Sequence, residues 1–442
     1  MKTVNLSIII ATVFLFHTIA FGQTTRTTTT TKTTSKPDVE INIEGKIEFN
    51  INGNSSQNTT TTTTTTKTQK PPKTKPANKP SSINENTTTE SNAYPTVATS
   101  KFDFISGDKV LAIEDFSTTN IGDFPLNWNT NSSSEVVTLS NQSGKWLQLN
   151  QKGAYLMEAI NQLPDNFTFE FDVVCSTPFG FNSNGLYVNF ANLKNRNTDY
   201  VKWMDYAGKN DGVKIMLEPS TPGGKLAKMG NAGIFAYNTN QAEIKNIVKT
   251  PEFNDEVNPK AHIAIWRQKE RIRVYINQTK VFDIPKAMLA SSYNALFFST
   301  KYMYNPDNYY ISNIKFAVGG ADTRTQLIDE GKFSTNGILF DVNSDVIKPE
   351  SNGVLLTIAK IMNENNEVRI KIVGHTDSDG DAAKNMELSK KRANAVKNYL
   401  IKNFGISASR IETDGKGASQ PFDKANTKEA KANNRRVEFI KL

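Results

Sequence analysis

Short runs of alternating apolar and polar residues predict strands through the middle of the chain. In FTFEFDVVC (167–175), the odd-numbered positions are apolar and share one face, whereas Thr168, Glu170 and Asp172 share the other. Similar runs are GLYVNF (185–190), HIAIW (262–266), RIRVYI (271–276), KVFDI (280–284) and YYISNIKF (309–316). RIRVYI and KVFDI flank a three-residue turn, which predicts a hairpin. Many short strands with almost no helical period predict an all-β sandwich for residues 101–320, with Cys175 buried in it.

A different pattern occurs near the C-terminus, where a strand is followed by a polar loop and a long helix. The strand is VRIKIV (368–373), and the helical period runs from near Asn385 to about Phe404. Apolar residues at helical spacing would pack this helix on a sheet, namely Ala393, Val396 and Leu400. The pattern therefore predicts a strand–loop–helix unit.

Two charged residues lie at the same end of this unit. Asp377 is in the loop, and Arg392 shares a helix face with Asn385, Leu388 and Ser389 at spacings of three and four. The planar Arg fork matches a carboxylate and Asp accepts from an ammonium, so together they suit a small zwitterion such as an amino-acid centre. The alternative is a structural salt bridge between Asp377 and Arg392, which spacing alone favours.

Five segments in this part of the chain resemble the OmpA-like peptidoglycan-binding domain, in the order that the family has them. They are GILFDVNSDVIKPES (337–351), IVGHTDSDG (372–380), NMELSKKRANAVKNYL (385–400), GISASRIETDGKG (405–417) and NNRRVEFI (433–440). The resemblance implies an α/β domain of βαβαβ type, which we assign to residues 321–442. It also implies non-covalent binding of peptidoglycan through the meso-diaminopimelate of its stem peptide.

The same resemblance implies which residues hold the ligand. Asp377 of the HTD motif and Arg392 of the LSxxRA motif would hold the distal amino-acid centre of diaminopimelate. Their expected neighbours in the site are Asn385, Leu388, Phe340, Asp341 and Arg435. His375, in the same loop, is expected to be a hydrogen-bonded structural residue and not a catalyst.

The first hundred residues predict export and a tether. Residues 1–22 have the pattern of a secretory signal, with an apolar run too short to span a bilayer. Residues 23–100 are rich in Thr, Lys and Pro and predict an extended, mobile, low-complexity linker, because this composition cannot bury a core. One segment inside it, VEINIEGKIEFNI (39–51), alternates like a strand and is expected to become ordered against a partner.

Composition narrows the classes of function. The chain has 442 residues, a formal net charge of +8, three His and one Cys. Because the His residues lie far apart, neither a His-rich metal site nor a Ser-His-Asp triad is expected, and no cofactor is predicted. With Cys175 as the only Cys, a lipid anchor on an N-terminal Cys is not expected, and neither is a transmembrane segment. In an exported protein the positive charge suits the anionic envelope better than nucleic acid.

The middle region resembles, more weakly, the concanavalin-like and laminin-G-like jelly rolls. The resemblance lies in EDFSTTNIGDFPLNW (114–128), YINQTKVFDIP (275–285) and ISNIKF (311–316). It implies a domain that binds or cuts polysaccharides, although a fold alone does not give a function. Two aromatic stretches, TDYVKWMDY (198–206) and YMYNPDNYY (302–310), could stack on sugar rings. The alternative is that these aromatic residues belong to the core and to turns.

These observations predict a non-enzymatic, periplasmic protein of the cell envelope. Its C-terminal domain would bind peptidoglycan, and its sandwich would bind a glycan or an envelope protein, so that the protein links the wall to the outer membrane or to that partner. The alternative is a glycan-cleaving enzyme in which the sandwich is catalytic and the C-terminal domain only localises it. A third possibility is a mechanical spacer.

Overall fold

A computed structural model of the chain describes three parts of it. These are the backbone of residues 26–31, the backbone of residues 41–46, and residues 102–442 except 181, 206–210, 221–227, 238–243, 289–292, 305 and 320–321. The chain divides into two units, Met1–Asn92 and Ala93–Leu442. The signal predicted for residues 1–22 and most of the predicted linker lie outside the described residues.

The first unit contains an antiparallel pair of strands. β1 (Arg26–Thr31) pairs with β2 (Ile41–Lys46), with Arg26 opposite Lys46 and Thr31 opposite Ile41. Part of the predicted 39–51 segment is therefore a strand, and it pairs with a Thr run that composition assigned to the extended linker. Ordering of this segment against a separate partner stays a prediction.

Residues 102–319 form a largely β-sheet region, called here the two-sheet region. Its strands are β3 (Lys109–Glu114), β4 (Trp128–Thr130), β5 (Val136–Leu139), β6 (Gln142–Leu149), β7 (Ala154–Met157), β8 (Asn166–Cys175), β9 (Leu186–Ala191), β10 (Gly212–Glu218), β11 (Gly230–Tyr237), β12 (Ile244–Thr250), β13 (Lys260–Gln268), β14 (Arg271–Ile276), β15 (Thr279–Ile284), β16 (Ala295–Thr300) and β17 (Tyr309–Val318). A helix, α1 (Arg196–Asp205), lies between β9 and β10.

The two antiparallel sheets of this region pack with their apolar faces together. One sheet has the order β12-β11-β10-β9-β16-β7-β4, and the other has the order β15-β14-β13-β8-β17-β6-β5, with β3 also paired to β17. Phe167 and Phe171 of β8 contact Phe190 and Phe298 of the opposite sheet, with ring centroids 5.5 and 5.0 Å apart. The core of the region lies between the sheets.

Strand β8 follows the predicted alternation on one face only. Its odd-numbered residues, ending at Cys175, are buried between the sheets as predicted. Thr168 and Glu170 on the other face are also buried, although alternation predicts a solvent-facing side. The segment before β3 covers them, because the Gly107 N–H donates to Thr168 Oγ1 at 3.0 Å and Ser106 Oγ donates to Glu170 at 2.5 Å.

The hairpin predicted from RIRVYI and KVFDI is formed by β14 and β15, with a turn one residue shorter than expected. Ile276 pairs with Thr279, so Asn277 and Gln278 form the turn. Asn277 has a φ of 53°, in the left-handed region that two-residue hairpin turns use.

Residues 322–442 form a domain of mixed helices and strands, called here the C-terminal domain. Its elements are β18 (Lys332–Thr335), α2 (Asn352–Glu364), β19 (Ile370–His375), α3 (Ala382–Phe404), β20 (Ile411–Gly417), α4 (Lys428–Asn434) and β21 (Val437–Lys441). The sheet order is β18-β21-β19-β20, with β19 and β20 parallel and the other pairs antiparallel. The core includes the predicted helix stripe Ala393, Val396 and Leu400. Along the described part of the chain, no helix combines the length and apolar character needed to cross a bilayer.

The two-sheet region and the C-terminal domain share a hydrophobic cluster. The ring of Phe104, which precedes β3, lies 6.1 Å from that of Trp266 and 5.5 Å from that of Tyr275. The same cluster includes Val354 and Leu355 of α2. Because this apolar surface is buried between them, the two parts belong to one compact unit. The boundary placed between residues 320 and 321 stays a prediction.

Candidate ligand-binding site

The predicted strand–loop–helix unit is present, with shifted ends. β19 begins and ends two residues later than predicted, and α3 begins at Ala382, three residues before Asn385. Asp381 caps the helix, since its carboxylate accepts from the backbone N–H of Lys384 at 2.9 Å. The cap satisfies one of the backbone donors that a helix start leaves free.

Two glycines allow α3 to lie directly against β19 and β20. A Cβ on Gly374 would lie 2.2 Å from the carbonyl oxygen of Ser389, and a Cβ on Gly415 would lie 2.5 Å from the backbone nitrogen of Lys390. Any larger residue would therefore push the helix away from the sheet. This close packing holds the N-terminal half of α3, which carries Arg392, against the two strands.

Arg392 is half-buried and is oriented by uncharged groups. Its Nε donates to the carbonyl oxygen of Ser344 at 3.0 Å, and its Nη2 donates to that of Asp341 at 3.4 Å. The guanidinium also lies over the ring of Phe340, 4.8 Å from the ring centroid. Asp341 thus contributes through its backbone, and its side chain is exposed. These contacts orient the charge of Arg392 without neutralising it.

Asp377 forms its ion pair with Arg435. Arg435 Nη1 lies 2.6 Å from Asp377 Oδ2, and the backbone N–H of Asp379 donates to Asp377 Oδ1 at 3.1 Å. Burial lowers the pKa of Arg392, nearby Arg435 lowers it further, and the charge of Asp377 opposes both effects. Arg392 and Asp377 are thus neighbours, but they do not form the direct salt bridge that spacing alone favoured.

The two remaining predicted residues lie on α3 beside these charges. Asn385 Nδ2 donates to the carbonyl oxygens of Asp379 at 2.8 Å and of Asp377 at 3.4 Å, so it holds the loop against the helix. Leu388 is half-buried and lies one turn before Arg392. The structure therefore brings all seven residues named from the sequence to one end of β19 and α3.

A cleft of about 190 Å³ opens beside Arg392 and Arg435. One of its walls comes from the two-sheet region and consists of Val110 and Ile113 of β3 and Lys315 of β17. Among the described residues that line it, the charged ones are all cations: Lys315, Arg392, Arg435 and Arg436. Arg435, Arg436 and Lys315 each pair with a carboxylate, whereas Arg392 has no such pair among the described residues. An anionic group is therefore the ligand that suits the part of the cleft beside Arg392. No motif pointed to the wall from the two-sheet region, because its residues belong to another part of the chain.

A buried carboxylate positions the basic residues behind the cleft. Glu438 accepts from Arg436 Nε at 3.0 Å and lies 3.0 Å from Lys332 Nζ and 3.4 Å from His375 Nε2. Burial alone would favour the neutral acid, but His375, Lys332 and Arg436 hold the pKa of Glu438 well below its usual range. His375 is 2% exposed, but among the described residues neither of its ring nitrogens has a hydrogen-bond partner, so the hydrogen bond expected for it is not present.

The two aromatic stretches of the two-sheet region differ in exposure. The first forms α1, and Tyr200 and Trp203 are buried against the sheet next to Phe297. Their proposed contact with sugars is therefore wrong for these two rings, which are core residues. In the second stretch, Tyr302 and Tyr304 are each 45% exposed, with ring centroids 5.2 Å apart.

Comparison with known proteins identifies the domain that carries the cleft. Residues 339–435, which contain all seven named residues, match the model of the OmpA family. The outer-membrane lipoprotein YfiB of Pseudomonas aeruginosa is 34% identical over 117 residues, which cover 26% of this chain and 69% of YfiB. The chain belongs to the OmpA family. The C-terminal domain is the OmpA-like domain that the sequence predicted.

Other relatives match the same OmpA-like domain. The probable lipoprotein YiaD of Escherichia coli is 40% identical over 24% of this chain and 47% of YiaD, and outer membrane protein A of Bordetella avium is 42% identical over 23% of this chain and 51% of that protein. The chain thus spans about half the length of these relatives. The solved peptidoglycan-associated lipoprotein of Burkholderia pseudomallei is 26% identical, covering 25% of this chain and 89% of that one with a TM-score of 0.23.

Proposed function

We propose that this protein is a non-enzymatic component of the cell envelope that binds peptidoglycan non-covalently through its OmpA-like domain. The observation that carries the proposal is the placement of Arg392 and Asp377 at one end of β19 and α3, beside a cleft whose described charged lining residues are cations. Membership in the OmpA family supports it, because outer-membrane proteins and lipoproteins are among the relatives.

The ligand in this proposal is the distal amino-acid centre of meso-diaminopimelate in the stem peptide. Arg392 donates from two guanidinium nitrogens to its carboxylate, a planar contact that the bonds to Ser344 and Asp341 pre-orient. Asp377 accepts from its ammonium. That ammonium competes with Arg435, whose side chain is 47% exposed and is free to turn towards solvent.

The rest of the chain gives this function its context. We place the protein in the periplasm, where residues 23–100 act as a tether and the two-sheet region is a concanavalin-like jelly roll that binds a glycan or an envelope protein. The exposed rings of Tyr302 and Tyr304 favour a glycan. The wall is thereby linked to the outer membrane or to this partner. The alternative is a wall-localised glycan-cleaving enzyme with the two-sheet region as its catalytic domain.

Sedimentation with purified cell walls of two chemical types tests the proposal. Lysine in the stem peptide lacks the distal carboxylate of diaminopimelate, so the full chain is expected to sediment with diaminopimelate-type walls and to remain in solution with lysine-type walls. Equal binding to both types would refute recognition of diaminopimelate, and binding to neither would refute the function. Release of reducing ends from either wall would favour the enzyme.

A further inference from the structure

The cleft beside Arg392 is built from two parts of the fold. Strand β3 of the two-sheet region is held on α4 of the OmpA-like domain: Asn433 Oδ1 accepts from the backbone N–H of Val110 at 2.8 Å, and Asn433 Nδ2 donates to the carbonyl oxygen of Val110 at 3.0 Å. One turn earlier on α4, Glu429 accepts from the backbone N–H of Ile113 at 3.2 Å. The cleft wall formed by Val110 and Ile113 therefore has a fixed position relative to the ligand-binding residues.

Two residues at one end of the sheet of the OmpA-like domain line this cleft and have unpaired polar atoms. Thr335 of β18 pairs with Val437 of β21, and the two strands are antiparallel. The residue after Thr335, which is Asn336, therefore lies opposite the residue before Val437, which is Arg436. Both residues are at least nine-tenths buried and line the cleft. Within the described part of the chain, Asn336 Oδ1 and Arg436 Nη1 are buried atoms without a hydrogen-bond partner. A buried donor and a buried acceptor without partners are unfavourable unless a ligand or water completes them.

The two-sheet region adds a cation to the same cleft. Lys315 of β17 is four-fifths buried, and its Nζ lies 3.2 Å from Glu170. Glu170 already accepts from Ser106 and lies 3.6 Å from His262, so it does not depend on Lys315 alone. The cleft, at about 190 Å³, has more than ten times the roughly 10–15 Å³ that one water needs. It therefore has room for a group the size of an amino acid.

We propose that Lys315 and Arg436 form a second subsite of the wall-binding site, which takes another carboxylate of the stem peptide. The stem peptide carries a further free carboxylate on the residue before diaminopimelate, and free diaminopimelate lacks this group. Lys315 and Arg436 supply charge-assisted donors to that carboxylate. The two-sheet region is thus part of the recognition site and not only an attached domain. This inference rests on the proposed function, in which Arg392 holds the diaminopimelate centre.

Calorimetric titration of the full chain with two ligands tests the subsite. One ligand is free meso-diaminopimelate, and the other is a muropeptide with the stem tripeptide that ends in diaminopimelate. Wild type is expected to bind the muropeptide about 10-fold more tightly than the free amino acid, because the second subsite adds a charge-assisted hydrogen bond. A muropeptide with its other carboxyl groups amidated is expected to lose this advantage.

Lys315→Met is expected to bind free diaminopimelate like wild type and to lose the preference for the muropeptide. Lys315→Arg keeps the charge and is expected to keep the preference. Lys249→Met is the matched control, because Lys249 is exposed on β12 of the other sheet and should not affect either ligand. Unchanged binding of free diaminopimelate also shows that Lys315→Met is folded.

Other outcomes separate this inference from the proposed function. A Lys315→Met protein that keeps the wild-type preference refutes the second subsite while leaving the proposed function intact. Equal weakening of both ligands by Lys315→Met also refutes it, since Lys315 would then act only through the fold. If folded Arg392→Ala binds free diaminopimelate normally, or if wild type binds neither ligand, the proposed function fails and the subsite fails with it.

Discussion

The OmpA-like domain and the two-sheet region both bury charged side chains, but they surround them with different partners. In the two-sheet region, His262 Nδ1 lies 2.8 Å from Asp172 and its Nε2 lies 3.6 Å from Glu170. Burial by itself lowers the pKa of His262, but the two carboxylates outweigh it and raise the pKa to about 9. The charge of His262 is thus matched by opposite charges of the protein.

In the OmpA-like domain, the contacts of Arg392 are two carbonyl oxygens and an aromatic ring. These groups orient the guanidinium and leave its charge for a ligand, whereas a carboxylate partner would first have to be displaced. Asp377 is an intermediate case, because Arg435 already occupies its carboxylate. The charge of Arg392 is therefore left for a ligand, whereas the charge of His262, which two carboxylates pair, has a structural role.

The largest expected effect comes from removing the oriented charge. Arg392→Ala is expected to abolish sedimentation with diaminopimelate-type walls, because loss of one partner of a desolvated charge pair costs roughly 2–5 kcal/mol. Arg392→Lys should fail as well, since an ammonium cannot make the planar two-pronged contact. The measurement is the bound fraction of each variant in a sedimentation assay.

The control for this prediction is the neighbouring residue on the same helix. Lys391 is exposed and lies 4.0 Å from Glu387, so Lys391→Ala should bind walls like wild type. Melting temperatures of both variants show whether they are folded. Normal sedimentation of a folded Arg392→Ala protein would contradict the site assignment.

A smaller loss is expected from Asp377→Asn. The variant removes the acceptor for the ligand ammonium, but the wild-type ammonium must already compete with Arg435 for this carboxylate. We expect binding to weaken by about 1.5–3 kcal/mol, the usual contribution of a charged hydrogen bond. Asp379→Asn makes the same change of charge in the same loop, where Asp379 pairs with Lys431 at 2.7 Å, and should weaken binding less. Equal losses from the two variants would point to the overall charge of the loop.

The ion pairs of His262 with Asp172 and Glu170 should affect the stability of the fold and not the binding of walls. The pKa of His262 is raised in the folded protein to about 9, so its charge stabilises the fold fully below about pH 6.5, and this contribution is lost as the pH rises to about 9. We expect it to reach roughly 2–3 kcal/mol.

His262→Asn tests this expectation. Urea unfolding at pH 6, 7.5 and 9 should show that wild type loses stability over this range and that the variant loses much less. The variant should still sediment with walls at pH 7 while it remains folded. A variant with the same pH dependence as wild type would show that the His262 cluster does not act in this way.

Features that depend on local spacing could be predicted from the sequence. The alternation of β8 and the apolar stripe of α3 locate both elements, and family motifs name Arg392 and Asp377. The helix α1 was missed although Tyr200 and Trp203 are at helical spacing, because the segment has only ten residues and lies among strands. Its ring contacts with the sheet, and not its length, make it part of the core.

Contacts between distant parts of the chain could not be predicted. Val110 and Asn433 are 323 residues apart, and their two hydrogen bonds hold one wall of the cleft. Ser106 covers Glu170 across 64 residues, which is why the outer face of β8 is buried against the expectation from alternation. Neither contact has a sequence motif, because each joins residues that are far apart in the chain. The prediction of a direct salt bridge between Asp377 and Arg392 was wrong for the same reason, because Asp377 pairs instead with Arg435, which is distant from it in the sequence.

The smallest expected effect concerns the exposed aromatic pair of the two-sheet region. The combined change Tyr302→Ser and Tyr304→Ser removes two rings that are each 45% exposed, and should weaken binding of peptide-free wall oligosaccharides by on the order of 1 kcal/mol, as for other aromatic contacts. Sedimentation with whole walls should stay unchanged, because Arg392 and Asp377 hold the stem peptide. Phe422→Ser is the control, since Phe422 is an exposed ring on the OmpA-like domain. Isothermal calorimetry with the oligosaccharides and sedimentation with walls separate the two regions. Equal oligosaccharide binding by wild type and by the double variant would show that the tyrosine pair does not contact the glycan. Loss of wall sedimentation in the double variant would show that the two regions do not bind independently.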